Sequence, residues 1–196
     1  MKSRSGLFIV LGIVALLFFW GCGAYNGLIG VDQEVKGKWG NVETNYQRRT
    51  DLYNSVIKTI EGSANFEKGT LKEVVEARAK ATSINVDIND AKSLAAYQQA
   101  QAGLQSSFSK LLAVVENYPD LKTTKAFQDF QTQIEGTENR INVARQDFNG
   151  AVQTYNLKVK TFPNNIFAGM FGYHEKPFYK ADAGSEKAPD VKFDIK

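Results

Sequence analysis

The residues in this sequence best equipped for chemistry are charged groups set on otherwise apolar helical stripes. Arg49 interrupts one such stripe, and Gln47, Arg48 and Asp51 crowd around it. Glu135, Thr137, Glu138, Asn139 and Arg140 form a second polar cluster farther along the chain. An unpaired buried charge costs several kcal/mol, so a charge on a buried stripe implies a partner. The expected pairing is Arg48 or Arg49 with Glu135 or Glu138. Arg48, Arg49, Asp51, Glu135, Glu138 and Arg140 are therefore the candidate polar layer. It has two competing roles: setting helix register, the best attested use of buried polar groups, or forming a pocket for a small ligand or a partner's terminus.

Reactive constellations are otherwise sparse. His174 is the single histidine and Cys22 the single cysteine, so no cluster of Cys and His ligands can be assembled around a metal. The sequence contains no Gly-x-Ser-x-Gly turn and no phosphate-cradling glycine loop. It also lacks the Glu-x-x-His pairs of a di-metal bundle. Glu135 and Glu138 lie three apart on one helix face, an arrangement that is ordinarily surface charge. The expectation is a protein that is not an enzyme, with no catalytic residue, no cofactor site and no metal site. A metal-binding or hydrolytic bundle is the contrary alternative.

The chain has 196 residues and a formal net charge of +3. Lys2 and Arg4 supply two of those charges, and the acids and bases of the rest are interspersed without a basic stripe. A nucleic-acid partner is therefore not expected. One cysteine excludes an intramolecular disulfide. The four prolines leave long stretches without one, which favours helices over a β-sandwich.

The strongest single element is the apolar run from Leu7 to Trp20. No residue from Ser5 to Val31 carries a charge. A hydrocarbon core needs about 20 apolar residues as a helix. Leu7 to Tyr25 meets that need, and Trp20 and Tyr25 stand where interfacial aromatics would. Three readings are open: a transmembrane span, a cleaved signal peptide, or a lipoprotein with Cys22 as the site of lipid attachment. Gly21 before Cys22 suits lipidation, while the bulky Phe19 and Trp20 do not. All three readings place the following domain at, or across, a membrane. Lys2 and Arg4 favour a cytoplasmic N-terminus and an extracytoplasmic domain.

Beyond Val31 the apolar period becomes helical. Val35, Trp39, Val42, Tyr46, Arg49, Tyr53, Val56 and Ile60 follow alternating steps of three and four, the seam of a helix packed along its length. The spacing predicts a first domain helix over 31–62 and a turn through Ser63, Ala64 and Asn65. Thr70 and Glu73 have capping-box spacing, and a shorter helix is expected from about Phe66 or Thr70 to Ala81 or Ser83. A loop over 84–92 ends in an N-cap. A third helix runs from near Ser93 until Pro119 stops it, and Asp120 is expected to cap the next. The fourth helix is expected from about Leu121 to Thr161. Its seam is Phe127, Phe130, Ile134, Thr137, Ile141, Ala144, Phe148, Ala151, Tyr155, Lys158 and Phe162. Short connections make the first and fourth helices antiparallel.

The predicted fold is therefore all-α: an N-terminal transmembrane helix, an elongated antiparallel bundle of about four helices, and an aromatic-rich irregular tail. The expected divisions are a membrane anchor over 1–30, a bundle over 31–163 and a tail over 164–196. The tail either caps the open end of the bundle or rests in the lipid headgroup layer, and Gly184 to Lys196 reads as polar and loosely held. Apolar seam positions left over by the short second helix allow a homo-oligomer.

Several stretches together resemble the LemA family of bacterial membrane proteins. They are Tyr25-Asn26-x-Leu28, Trp39-x-x-Val42-x-x-x-Tyr46-Gln47-Arg48-Arg49-x-Asp51-Leu52, and Ala77-Arg78. The resemblance continues through Leu111-Leu112-Ala113-Val114-x-Glu116-x-Tyr118-Pro119-Asp120-Leu121-Lys122 and Glu135-Gly136-Thr137-Glu138-Asn139-Arg140-Ile141. Asn156, Phe162-Pro163 and Gly172 with its aromatic neighbour complete it, so that it covers about Tyr25 to Phe178. The sequence departs from the family at Asn54, where the family has proline. The resemblance implies one N-terminal membrane helix, an all-helical domain and no enzymatic reaction to carry over. Some descriptions of the family place the N-terminus outside, which leaves orientation open. The function expected is a non-enzymatic, membrane-anchored scaffold of the bacterial cell envelope that binds a protein in or at the membrane. The alternative is a sensor of a small ligand or lipid at the mid-bundle polar layer.

Overall fold

A computed structural model describes residues 2–62 and 68–180 of the chain. The expected turn through Ser63, Ala64 and Asn65 and the stretch Gly184 to Lys196 lie outside the described residues. The fold is all-α, with no strand among the described residues. In chain order the helices are α1 (Lys2–Glu61), α2 (Lys68–Ser83), α3 (Ala91–Val115), α4 (Pro119–Lys122), α5 (Lys125–Lys160) and α6 (Asn164–Met170).

The apolar run and the first bundle helix are one continuous helix. At about 1.5 Å per residue, the 60 residues of α1 extend roughly 90 Å. Its N-terminal third exposes Leu7 to Trp20 on all sides apart from the undescribed Leu17 side chain, and among the described side chains the first buried one is Ala24. From there the heptad-like seam turns inward: Val35, Trp39, Val42, Tyr46, Arg49, Tyr53, Val56 and Ile60 are all buried.

That seam meets α5 running antiparallel. Trp39 touches Phe148 and Arg49 reaches Glu138, so rising numbers on one helix face falling numbers on the other. The helix α3 lies parallel to α1 over the same seam, with Tyr97 against Trp39 and Tyr46, and Phe108 stacked on Tyr53 at 3.6 Å. The helix α2 turns back along α3 and closes the far end, where Leu71, Val74 and Ala81 are buried. Burying each large apolar side chain contributes about 1.5–3 kcal/mol, so these long seams supply most of the bundle's cohesion.

The buried residues fall into two clusters. One surrounds Leu28, Trp39, Tyr97, Phe148 and Tyr155 near the apolar end of α1. The other surrounds Tyr53, Ile60, Leu104, Phe108 and Phe130 at the far end. Arg49, Gln101 and Thr137, all buried and polar, fall in sequence between them on α1, α3 and α5.

Four local expectations are corrected. Asp120 does not cap the fourth helix. It sits in the first turn of α4, and Thr124 caps α5 with its hydroxyl accepting from the Phe127 N–H at 3.4 Å. The extended backbone of Thr124 breaks the expected helix between Lys122 and Lys125. Thr70 lies inside α2 rather than at its cap. Phe162 leaves the seam, because the chain turns extended at Thr161, and its ring is 74% exposed. Val152, Asn156 and Val159 are buried beside the predicted stripe instead. The cap of α3 is Asp90, whose carboxylate accepts from the N–H groups of Lys92 and Ser93 at 3.1 Å each.

Candidate functional site: two buried cations

Arg49 is fully buried and faces acceptors from two other helices. One terminal nitrogen donates to Glu138 Oε1 at 3.3 Å. The other donates to the Gln101 side-chain oxygen at 2.7 Å and to its backbone carbonyl at 3.2 Å. The guanidinium also lies 4.7 Å from the Tyr46 ring centre and 5.8 Å from that of Tyr53, an attraction that strengthens where water is excluded. Its Nε is buried without a hydrogen-bond partner. Burial pushes the Tyr53 hydroxyl up to about 12, against the opposing pull of Arg49, so Tyr53 stays neutral beside the cation.

The other members of the predicted layer do not join this contact. Glu135 and Arg140 are exposed, as are Arg48 and Asp51. Asp51 instead accepts from Gln47 at 3.0 Å on the outer face of α1. Arg48 and Asp51 line a shallow polar depression with Glu43, Thr44 and Gln47. Arg140 lines a groove between α1 and α5 with Asn41, Asn45, Asn139, Val143, Ala144 and Asp147. A smaller cleft of about 180 Å³ reaches Gln101 past Tyr46, Thr50 and Tyr97. Cys22 is exposed on the apolar part of α1. Among the described residues, no group of three or more His, Cys, Asp or Glu side chains is placed to hold a metal ion.

A second buried cation was missed by sequence reasoning. Lys176 comes from the tail, yet its side chain is 4% exposed. It pairs with Asp32 of α1 at 3.0 Å, donates to the Asn89 side-chain oxygen, and lies 4.8 Å from the Tyr155 ring centre. Asp32 also pairs with Lys36 at 2.8 Å. Burial pushes the Asp32 carboxyl up, but hydrogen bonds from Lys36 and Lys176 outweigh it and hold the carboxyl below its ordinary value of 3.8. Burial, with the charge of Asp32 adding to it, raises Tyr155 to about 12. Tyr155 therefore keeps its proton and donates to the His174 carbonyl at 2.9 Å.

Two asparagines on α5 hold the extended chain that delivers Lys176. Asn156 donates to the Lys176 carbonyl at 2.9 Å and accepts from its N–H at 2.8 Å. Asn149 makes the same pair of bonds to Tyr179, at 2.9 and 2.8 Å. Seven residues along a helix and three along an extended chain both advance about 10 Å. That match lets one strap, running antiparallel to α5, satisfy both amides. Beyond it, the Tyr179 and Tyr46 hydroxyls meet at 2.6 Å. Arg145 donates to the Tyr46 hydroxyl and covers the Tyr179 ring at 4.7 Å. The signal for this strap was the heptad spacing of Asn149 and Asn156. It lay beside the apolar stripe rather than on it.

The sequence model described as the LemA family matches residues 38–193. Magnetosome protein MamQ 2 of Paramagnetospirillum magneticum is 25% identical over 195 residues, covering 90% of this chain and 70% of its own. Magnetosome protein MamQ of Magnetospirillum gryphiswaldense is 25% identical over 202 residues, covering 90% and 72%. Protein LemA of Metamycoplasma hominis is 26% identical over 175 residues, covering 89% and 77%.

Proposed function

We propose, for a chain that belongs to the LemA family, that it acts without catalysis as a membrane-anchored helical scaffold binding another protein in or at the membrane. One helix among the described residues is long and apolar enough to cross a bilayer, which suits a LemA-like membrane protein. The single observation carrying it is the enclosure of Arg49. The most deeply buried charge of the bundle binds Glu138 and Gln101 of its own chain, fixing the register of α1, α3 and α5. The polar faces left outside, around Arg48 and Arg140, are then free for a partner.

The working division is an anchor over 1–30, a bundle over 31–163 and a tail over 164–196, with the N-terminus cytoplasmic and the bundle extracytoplasmic. Added protease should reach the bundle in spheroplasts; full protection would reverse the orientation. A photo-crosslinking residue at Arg48 or Arg140 in intact cells should give a discrete adduct with one membrane or envelope protein. No adduct beyond that seen at the apolar positions of the span would count against a scaffold.

A second reading has one observation in its favour. The unpartnered Nε of Arg49 and the cleft at Gln101 suit a small polar ligand acting as a sensor input. Native mass spectrometry of the protein extracted gently from membranes would show a retained small molecule, lost on Gln101→Leu, if this reading held.

A further inference from the structure

The segment after α5 has an unusual composition for a connector. No charged side chain occurs from Thr161 to Tyr173. Four of its apolar residues stay exposed: Phe162, Ile166, Met170 and Phe171, at 74, 53, 73 and 49%. Ile166 and Met170 lie four apart on α6 and share one outer face, and Phe162 precedes the helix by two residues. An exposed apolar patch of this kind marks an interaction site.

Its position identifies the occupant. The helix α6 docks on the end of the apolar part of α1: Phe167 meets Trp20 edge-on at 5.2 Å, and Phe171 meets Tyr25 at 4.7 Å. Gly21 eases this approach, because a Cβ there would come within 3.1 Å of the Phe167 ring and push it outward slightly. Trp20 and Tyr25 fall near the end of the stretch that a bilayer must cover, since the run from Leu7 needs about 20 residues to traverse the hydrocarbon. Charged groups begin just above. Asp32, Lys36 and Lys176 form one linked group, and Lys160 pairs with Glu175 at 2.8 Å. An apolar collar below a tier of charges, at the depth of interfacial aromatics, has the profile of a surface-seated helix, whose apolar face sinks about 5–10 Å into the headgroup boundary.

We infer that α6 and Phe162 form a lipid-seated foot: a second membrane contact, on the bundle side of the bilayer, that fixes the tilt and depth of the rod relative to its own span. The inference rests on the transmembrane reading of α1 and extends it to a segment outside that span. Because the strap over 173–180 continues directly from the foot, the lipid contact and the Lys176 layer form one continuous attachment of the tail.

The test uses the full chain, with Cys22→Ser, reconstituted in vesicles of neutral and anionic phospholipids. Single cysteines at Val14, Met170 and Val143, each exposed, carry one environment-sensitive fluorophore. Nitroxide placed at the headgroup or upper acyl chain should quench the Met170 label strongly, and iodide in the water should quench it weakly. The Val143 label should show the reverse. Quenching of the Val14 label by deep acyl nitroxide tests the span by itself, so failure of the span and failure of the foot are distinguishable. A Met170 label that behaves like the Val143 label would overturn the inference. A Met170 label shielded from both lipid nitroxide and iodide would also overturn it, because a protein surface would then be the occupant.

Discussion

Arg49 and Lys176 are two buried cations built to one recipe at two heights of the same helix pair. Each meets one carboxylate, one side-chain amide oxygen and the face of a tyrosine: Glu138, Gln101 and Tyr46 for Arg49, and Asp32, Asn89 and Tyr155 for Lys176. The difference lies in where the cation comes from. Arg49 belongs to a helix flanked by core on both sides, so its contact can break only when α1, α3 and α5 separate. Lys176 is brought in by an extended strap whose backbone is held by two asparagines. Its contact can break while the helices stay together. The same chemistry sets the register of a bundle in one place and attaches a chain segment in the other, which predicts global consequences for one and local consequences for the other.

The largest effect is expected from Arg49→Ala. Removing one partner of a buried pair costs about 3–5 kcal/mol, and the cavity left between Tyr46 and Tyr53 adds to the loss. Thermal unfolding of the solubilised protein should shift as a single transition. Glu138→Ala should cost a comparable amount, because it leaves the fully buried Arg49 cation with only the neutral acceptors of Gln101.

Lys176→Ala should come next, at about 1–3 kcal/mol for lost buried hydrogen bonds, and its signature should be regional. Amide exchange should accelerate over 173–180 while the seams of α1 and α5 stay protected. Uniform acceleration across the bundle would erase the distinction between the two layers.

Asn149→Ala and Asn156→Ala each remove two hydrogen bonds to the strap and should cost about 1–2 kcal/mol apiece. Asn156→Ala should be the larger, since Asn156 is itself buried while Asn149 is half-buried. Exchange measured at the N–H groups of Lys176 and Tyr179 would separate them.

The smallest effect is the acid response of the strap. The Asp32 carboxyl is held below 3.8 in the folded chain. Its contribution is therefore complete above that value and is lost as pH falls through the lower folded value. Exchange over 173–180 should rise below about pH 4 in the wild type, and this increment should vanish in Asp32→Asn.

The contrast also explains what was legible in the sequence. Arg49 announced itself because it interrupts a regular three-four repeat, and a periodic apolar pattern makes its exceptions visible. The helices, their antiparallel order and the parallel third helix follow from that same periodicity and from short connections. Lys176, Tyr179 and Asp32 sit in no repeat. An extended segment laid on a helix leaves only alternate, locally ambiguous signals, and Asn149 and Asn156 read as ordinary flank residues until their partners are known. Asp120 failed as a cap for a related reason: two acceptable cap residues, Asp120 and Thr124, lie four apart, and Pro119 took the first for a separate short turn. Phe162 was assigned to the seam by spacing alone, although Pro163 next to it ends the helix that would have carried it inward.

The most direct test of the scaffold account replaces the whole Arg49 layer with apolar groups: Arg49→Met, Gln101→Leu and Glu138→Leu together. Exchanging a buried ionic cluster for packed apolar side chains is commonly neutral or stabilising. The account predicts a folded protein, unfolding at or above the wild-type temperature, that still forms the same crosslinked adduct through Arg140 in intact cells. A variant that folds equally well but loses that adduct would contradict it, because the buried charge would then take part in binding instead of only holding the helices in register.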